Sequence, residues 1–185
     1  MKSFNAKLSI SCINFFKSML DKKKEISGEL VVNRMYKDKN KIIFEFIQDI
    51  YSIIVGKKEE VVLYQSKTNF HTHPRIVYIS NNVNKGWPSF IDYIGFIRMN
   101  GICLFHVIPS LEGIYIISYS QYWCNRKLNI SEKFIKNNFN IDRNADISIL
   151  DYIYIVNNIN YKGFPIFKVK YMKWNNASSI FKIYY

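Results

Sequence analysis

The chain has 185 residues, of which 49% are hydrophobic, 17% aromatic and 22% charged. That balance excludes a disordered tail and suits a single domain that buries a core without disulfide staples. Lys and Arg number 26 against 14 Asp and Glu, a formal charge of +12. Such a field favours an acidic protein, nucleic acid or an anionic membrane without selecting among them.

Lysines such as Lys37, Lys39 and Lys41 are scattered, the pattern of a solvated surface, and nucleic-acid binding ranks low without a basic-aromatic motif of known spacing. The cysteines, Cys12, Cys103 and Cys124, are odd in number and form no CxxC pair, which fits a reducing compartment. No window approaches the roughly 18 apolar residues of a spanning helix. The expectation is an intracellular, cytoplasmic protein with no membrane span.

In chain order, Ile10, Ile13, Phe16 and Leu20 recur at helical spacing and predict a helix over 9–22. Apolar stretches at Glu25–Arg34 and Glu60–Tyr64 read as strands, and Lys41–Val55 as a strand or a helix. Asn69–Pro74 ends a short strand, and the Asn-rich Arg75–Pro88 reads as a loop. Ser89–Met99 reads as a helix, and Gly101–Ile108 with Gly113–Ser120 as a strand pair rich in Ile, Tyr and Val.

Ser131 opens a helix to Phe139, and Ile147–Ile155, Phe164–Tyr171 and Ile180–Tyr185 read as strands. Helices and strands mix without a βαβ rhythm, which predicts an α+β domain spanning 1–185.

The chemistry concentrates in Phe70-His71-Thr72-His73-Pro74, which holds two of the three histidines. On an extended strand, side chains two apart share a face, so both imidazoles can converge on one ion. A hydrolytic zinc site takes a third protein ligand and leaves the fourth position for water. Asp92, in Ser89-Phe90-Ile91-Asp92, is the best donor, one helical turn from Ser89.

A base that does not ligate the metal is also needed, and Glu suits it. Glu25 and Glu29 lie at an even separation on one strand face, and spacing does not choose between them. His106 alternates with Ile102, Leu104 and Ile108 and reads as a half-buried structural histidine, as Cys103 and Cys124 read as structural.

The set resembles the JAMM metallopeptidases, also called MPN-plus or JAB domains. Glu25-Ile26-Ser27-Gly28 resembles their ExxG element, His71-Thr72-His73-Pro74 their HxHP, and Ser89-Phe90-Ile91-Asp92 their SxxD, in the family's order. Gly86-Trp87-Pro88-Ser89 is similar to versions encoded by large DNA viruses, which would place the protein in the host cytoplasm or the virion.

The resemblance implies a curved mixed β-sheet flanked by helices, the cytidine-deaminase-like JAB/MPN architecture, with a motif core at about 9–120 and a C-terminal extension at 121–185. It implies Zn2+ on His71, His73 and Asp92, Glu25 as general acid/base and Ser89 as donor to the oxyanion. The implied substrates are ubiquitin or ubiquitin-like conjugates joined by isopeptide bonds, and a partner subunit is common in the family. Cys124–Ile147 is where the folded modifier would be recognised. The competing readings are a catalytically silent MPN-type scaffold and a virion-associated binding protein with structural zinc. A stretch from Arg75 to Pro88 longer than in the best-studied members, and Glu29 beside Gly28, depart from the pattern.

Overall fold

A computed structural model describes residues 2–56 and 62–185. In chain order the elements are β1 (Ser3–Leu8), α1 (Ile10–Met19), β2 (Ile26–Asp38), β3 (Lys41–Gln48), β4 (Ile54–Val55), β5 (Thr68–His71), α2 (Arg75–Ser80) and α3 (Phe90–Arg98). They continue as β6 (Phe105–Pro109), β7 (Gly113–Tyr119), α4 (Glu132–Phe139), α5 (Ile149–Asn157), β8 (Asn160–Tyr161), β9 (Phe164–Pro165), β10 (Phe167–Lys173) and β11 (Phe181–Tyr184). The fold is α+β, as expected. A curled mixed sheet forms a half-barrel, ordered β10-β7-β6-β5-β2-β3-β1-β11, with β4 pairing β2.

Only β1 with β3 and β5 with β6 run parallel among these pairs. The two-residue period sorts the core onto two faces. Phe105 and Val107 of β6, with Ile114 and Ile116 of β7, pack towards Cys12, Ile13 and Phe16 of α1. Ile108, Tyr115, Ile117 and Tyr119 point the other way, into a cluster with Tyr93 and Phe96 of α3, Phe139 of α4 and Tyr152 of α5. The chain beyond residue 120 supplies β10 at one end of the sheet and β11 at the other.

Serines start the α-helices other than α2, which follows Pro74. Ser9, Ser89, Ser131 and Ser148 each accept a bond from a first-turn backbone N–H, relieving donors that have no partner inside the helix. This corrects one expectation, because Ile147–Ile155 holds a helix and not a strand. Ser148 and Asp151 form a capping box, and Tyr152 and Val156, four apart, are both buried. A reciprocal cap and a buried stripe outweigh the strand preference of Ile, Tyr and Val.

Arg75–Pro88 is likewise not all loop, since its first six residues form α2, which buries Val77. Its first N–H bonds Leu20 O at 2.8 Å, tying it to the end of α1. Residues 101–104 are a turn and not a strand, with Gly101 at φ +84°, a conformation glycine adopts without cost. Of the expected Glu60–Tyr64 strand, Glu60 and Val61 lie outside the described residues, and Val62–Tyr64 is not a strand. Lys41–Val55 is strand β3, a single 3-10 turn at Ile50–Ser52, then β4.

Candidate metal centre

β5 pairs antiparallel with β2, setting Ser27 opposite His71, and parallel with β6, setting Asn69 beside His106. The strand ends at His71, but the chain stays extended. Thr72 N–H bonds Ile26 O at 2.9 Å, the Thr72 hydroxyl accepts from Ile26 N–H at 3.0 Å, and His73 N–H bonds Pro109 O at 2.8 Å. That run keeps His71 and His73 on one side, each 2% exposed.

Asp92 arrives from the first turn of α3. His71 Nε2 lies 2.9 Å from His73 Nε2 and 3.0 Å from Asp92 Oδ1, and His73 Nε2 lies 3.7 Å from Asp92 Oδ2. The three ligand atoms all lie within 4.8 Å of one another. Tetrahedral zinc with ligands at 2.0–2.1 Å sets them roughly 3.3 Å apart, so a slight widening of the histidine pair accommodates the ion. The buried group can bind a metal ion, as the sequence suggested.

Each donor is oriented by a neighbour, as metal ligands generally are. His73 Nδ1 donates to Gly86 O at 2.9 Å, leaving Nε2 for the site. Glu112 holds Gly86 in place by accepting from its N–H at 2.6 Å and from the Tyr78 hydroxyl. Asp92 Oδ2 takes the Ser89 N–H at 2.6 Å and the Ser89 hydroxyl at 2.8 Å, which frees Oδ1. His71 Nδ1 lies 2.6 Å from His106 Nε2, with the ring centroids 4.8 Å apart and the ring planes inclined by 20°, so the two rings meet edge to edge.

His106 is not half-buried but fully enclosed, 0% exposed, and sits directly behind His71. Cys103 is buried and Cys124 partly exposed, both as free thiols.

Electrostatics bind the group together. Burial pushes His71 down, but the carboxylate of Asp92 outweighs it, so His71 stands above its usual value. Burial pushes Asp92 up, and the two imidazoles more than offset that, holding it well below the usual carboxylate range. Burial raises Glu25, with both histidines opposing. The Arg143 guanidinium, fixed by Nε and Nη2 bonds of 3.0 and 2.8 Å to Trp87 O, stands 3.8 Å from Asp92 Oδ2.

Glu25 precedes β2 and lines the same cleft of about 880 Å3 as His71, His73, Ser89, Asp92 and Arg143. Glu29, four residues and roughly 13 Å further along the strand, lines a separate apolar groove with Phe4 and Phe44. The sequence reasoning thus missed His106, Asn69, Gly86, Glu112 and Arg143 as neighbours of the site. Asn69 carried a signal, standing two residues before His71 on the same strand face, as His71 stands before His73. The others come from distant segments, and no spacing announces them.

Comparison of the chain with protein-family models, curated proteins and solved structures returns no match.

Proposed function

We propose that the chain is a JAMM-type zinc isopeptidase that hydrolyses ubiquitin or ubiquitin-like conjugates. The observation that carries the reading is the convergence of His71 Nε2, His73 Nε2 and the Asp92 carboxylate, in a cleft that also holds Glu25. Two imidazoles and a carboxylate suit zinc, and an open cleft suits a catalytic site better than a closed structural one. The order of the three motifs supports the same reading.

His71, His73 and Asp92 would hold the ion. Bound there, zinc supplies a Lewis acid that lowers the pKa of its water to about 7. Glu25 takes a proton from the attacking water and returns it to the departing lysine nitrogen, a task that a buried, raised carboxyl fits. The Ser89 hydroxyl, which now donates to Asp92 Oδ2, turns about its Cα–Cβ bond to meet the oxyanion. Asp92 keeps the Ser89 N–H meanwhile. Arg143, in the cleft wall, favours the developing negative charge.

An extended substrate tail would lie along the cleft past Val62, Leu63 and Gln65, which line it. The folded modifier would meet Cys124–Ile147, which contains α4 and contributes Glu132 and Arg143 to the cleft.

The test is bound zinc by elemental analysis on wild type, His73→Ala and Glu25→Gln, alongside cleavage of ubiquitin chains. About one zinc in wild type, its loss in His73→Ala, and retained zinc without cleavage in Glu25→Gln support the reading. A wild type with neither zinc nor cleavage overturns it and leaves a binding scaffold.

A further inference from the structure

The orientation of the Asn69 side chain follows from bonding rules alone. Its amide nitrogen faces Tyr64 O and, at 3.3 Å, Met99 Sδ. A carbonyl oxygen only accepts, so the NH2 group must stand at that end and Oδ1 at the other. Oδ1 lies 2.6 Å from His106 Nδ1 and within 3.4 Å of the Cys103 thiol.

From there each proton has one place. Oδ1 cannot donate, so His106 Nδ1 carries the hydrogen and His106 Nε2 is bare. His106 is 0% exposed and its ring nitrogens meet only the Asn69 amide and the His71 ring, and with no carboxylate bonded to it a buried ring stays neutral. Its bare Nε2 must accept from His71 Nδ1–H across 2.6 Å. In the neutral His71 ring, Nε2 is then left as a lone pair facing His73 and Asp92.

We infer that Asn69 and His106 form a tautomer relay that points the metal-binding lone pair of His71 into the site, making both positioning residues. The inference rests on the metal-binding part of the reading above and not on the reaction. A relay ending in a neutral amide adds no negative charge behind the ligand. A carboxylate in that place would make His71 a more basic donor and soften the Lewis acidity of the ion. The site keeps Asp92 as its one anionic ligand.

The experiment is long-range 1H–15N NMR on metal-free wild type, at a pH where all three imidazoles are neutral, with zinc affinity by chelator competition. The expected spectrum shows Nδ1–H on both His71 and His106. His106→Phe keeps a ring against His71 but removes the acceptor, and His106→Gln restores one, with a donor for Asn69. We expect His106→Phe to remain folded, to show a mixed His71 tautomer and to bind zinc about 10–100-fold more weakly, with partial recovery in His106→Gln.

Nε2–H on His106 in wild type, or unchanged zinc affinity in a folded His106→Phe, overturns the relay. Should His106→Phe unfold, the wild-type spectrum alone decides. Wild type without zinc affinity overturns the hydrolase reading and the relay together. Zinc bound without cleavage of any conjugate counts against the reaction and leaves the relay standing.

Discussion

Asp92 divides its carboxylate between two tasks, giving Oδ2 to the backbone N–H of Ser89 at 2.6 Å and keeping Oδ1 3.0 Å from His71 Nε2. The same SxxD box recurs at Ser148 and Asp151, on an exposed helix start with no histidine beside it. The second copy shows what the box does away from the histidines.

The pair yields a matched prediction. Ser148→Ala loses a helix cap and should cost about 0.5–2 kcal/mol of stability with no change in metal affinity. Ser89→Ala should cost a similar amount and also weaken metal binding, because Oδ2 loses the hydroxyl that holds it. Thermal unfolding with and without zinc separates the two. Equal responses of the variants to zinc would refute the dual role of Ser89.

Metal affinity should rise with pH. His71 stands above its ordinary value near 6.5 in the metal-free protein, so its proton and the metal compete for Nε2. Below that raised pKa, binding releases one proton, and affinity should fall about tenfold per pH unit as the solution is acidified. Above it the dependence flattens.

The stability of the metal-free protein runs the opposite way. The pairing of charged His71 with Asp92 contributes fully below about pH 6.5 and is lost as pH rises through the folded value. Asp92, depressed below its usual 3.8, contributes above that value and is lost in strong acid. Calorimetric zinc titrations in buffers of different ionisation heat measure the released proton. A flat profile through this range would exclude competition at His71.

A side chain at Gly86 must displace its neighbours. A Cβ there would meet the Tyr78 hydroxyl at 1.8 Å and Glu112 Oε2 at 2.9 Å, so Gly86→Ala must break the Tyr78–Glu112 bond or shift the backbone. A shift carries Gly86 O away from His73 Nδ1. We expect a loss of about 1–3 kcal/mol together with weaker zinc binding. Gly101→Asn, at a positive φ with nothing within 4 Å, should change stability little and zinc binding not at all. Chelator competition on both variants checks this.

The C-terminal helix should matter to the site wall. Tyr152 stacks on Trp87 at 4.6 Å and 5°, donates to Pro88 O at 3.0 Å, and meets the Tyr93 hydroxyl at 2.7 Å. Tyr152→Phe keeps the stack but leaves Pro88 O without that donor in a buried setting, at a cost of about 1–3 kcal/mol. Denaturant unfolding measures it. A loss below a few tenths would show that water or Tyr93 replaces the bond.

Much of the site was legible before any fold was known. His71 and His73 are two apart, and only a strand or extended run places such a pair on one face. Ser89 and Asp92 are three apart, the spacing of a helix cap. Glu25 against Glu29 was not legible, because an even separation puts both on one face and says nothing of which end of the strand meets α3. The strand at Ile147–Ile155 was misread because Ile, Tyr and Val carry a strand preference, whereas the cap at Ser148 and the burial of Tyr152 and Val156 act through distant partners. β1 was not foreseen, since its pairing with β3 and β11 joins segments far apart in the chain.

Local spacing by itself determined which donors are able to share a metal ion, because helix and strand periodicities are properties of a few consecutive residues. The tertiary structure alone decided which nitrogen of each imidazole faces Asp92, which glutamate shares the cleft, and which cation stands beside Asp92. Those outcomes depend on Asn69 lying beside His106 across a parallel pair, on Gly86 O reaching His73, and on Arg143 returning to Trp87 O from the segment after α4. Each is a contact between segments whose separation in the chain carries no periodic signal, so only the packed fold brings them within bonding distance.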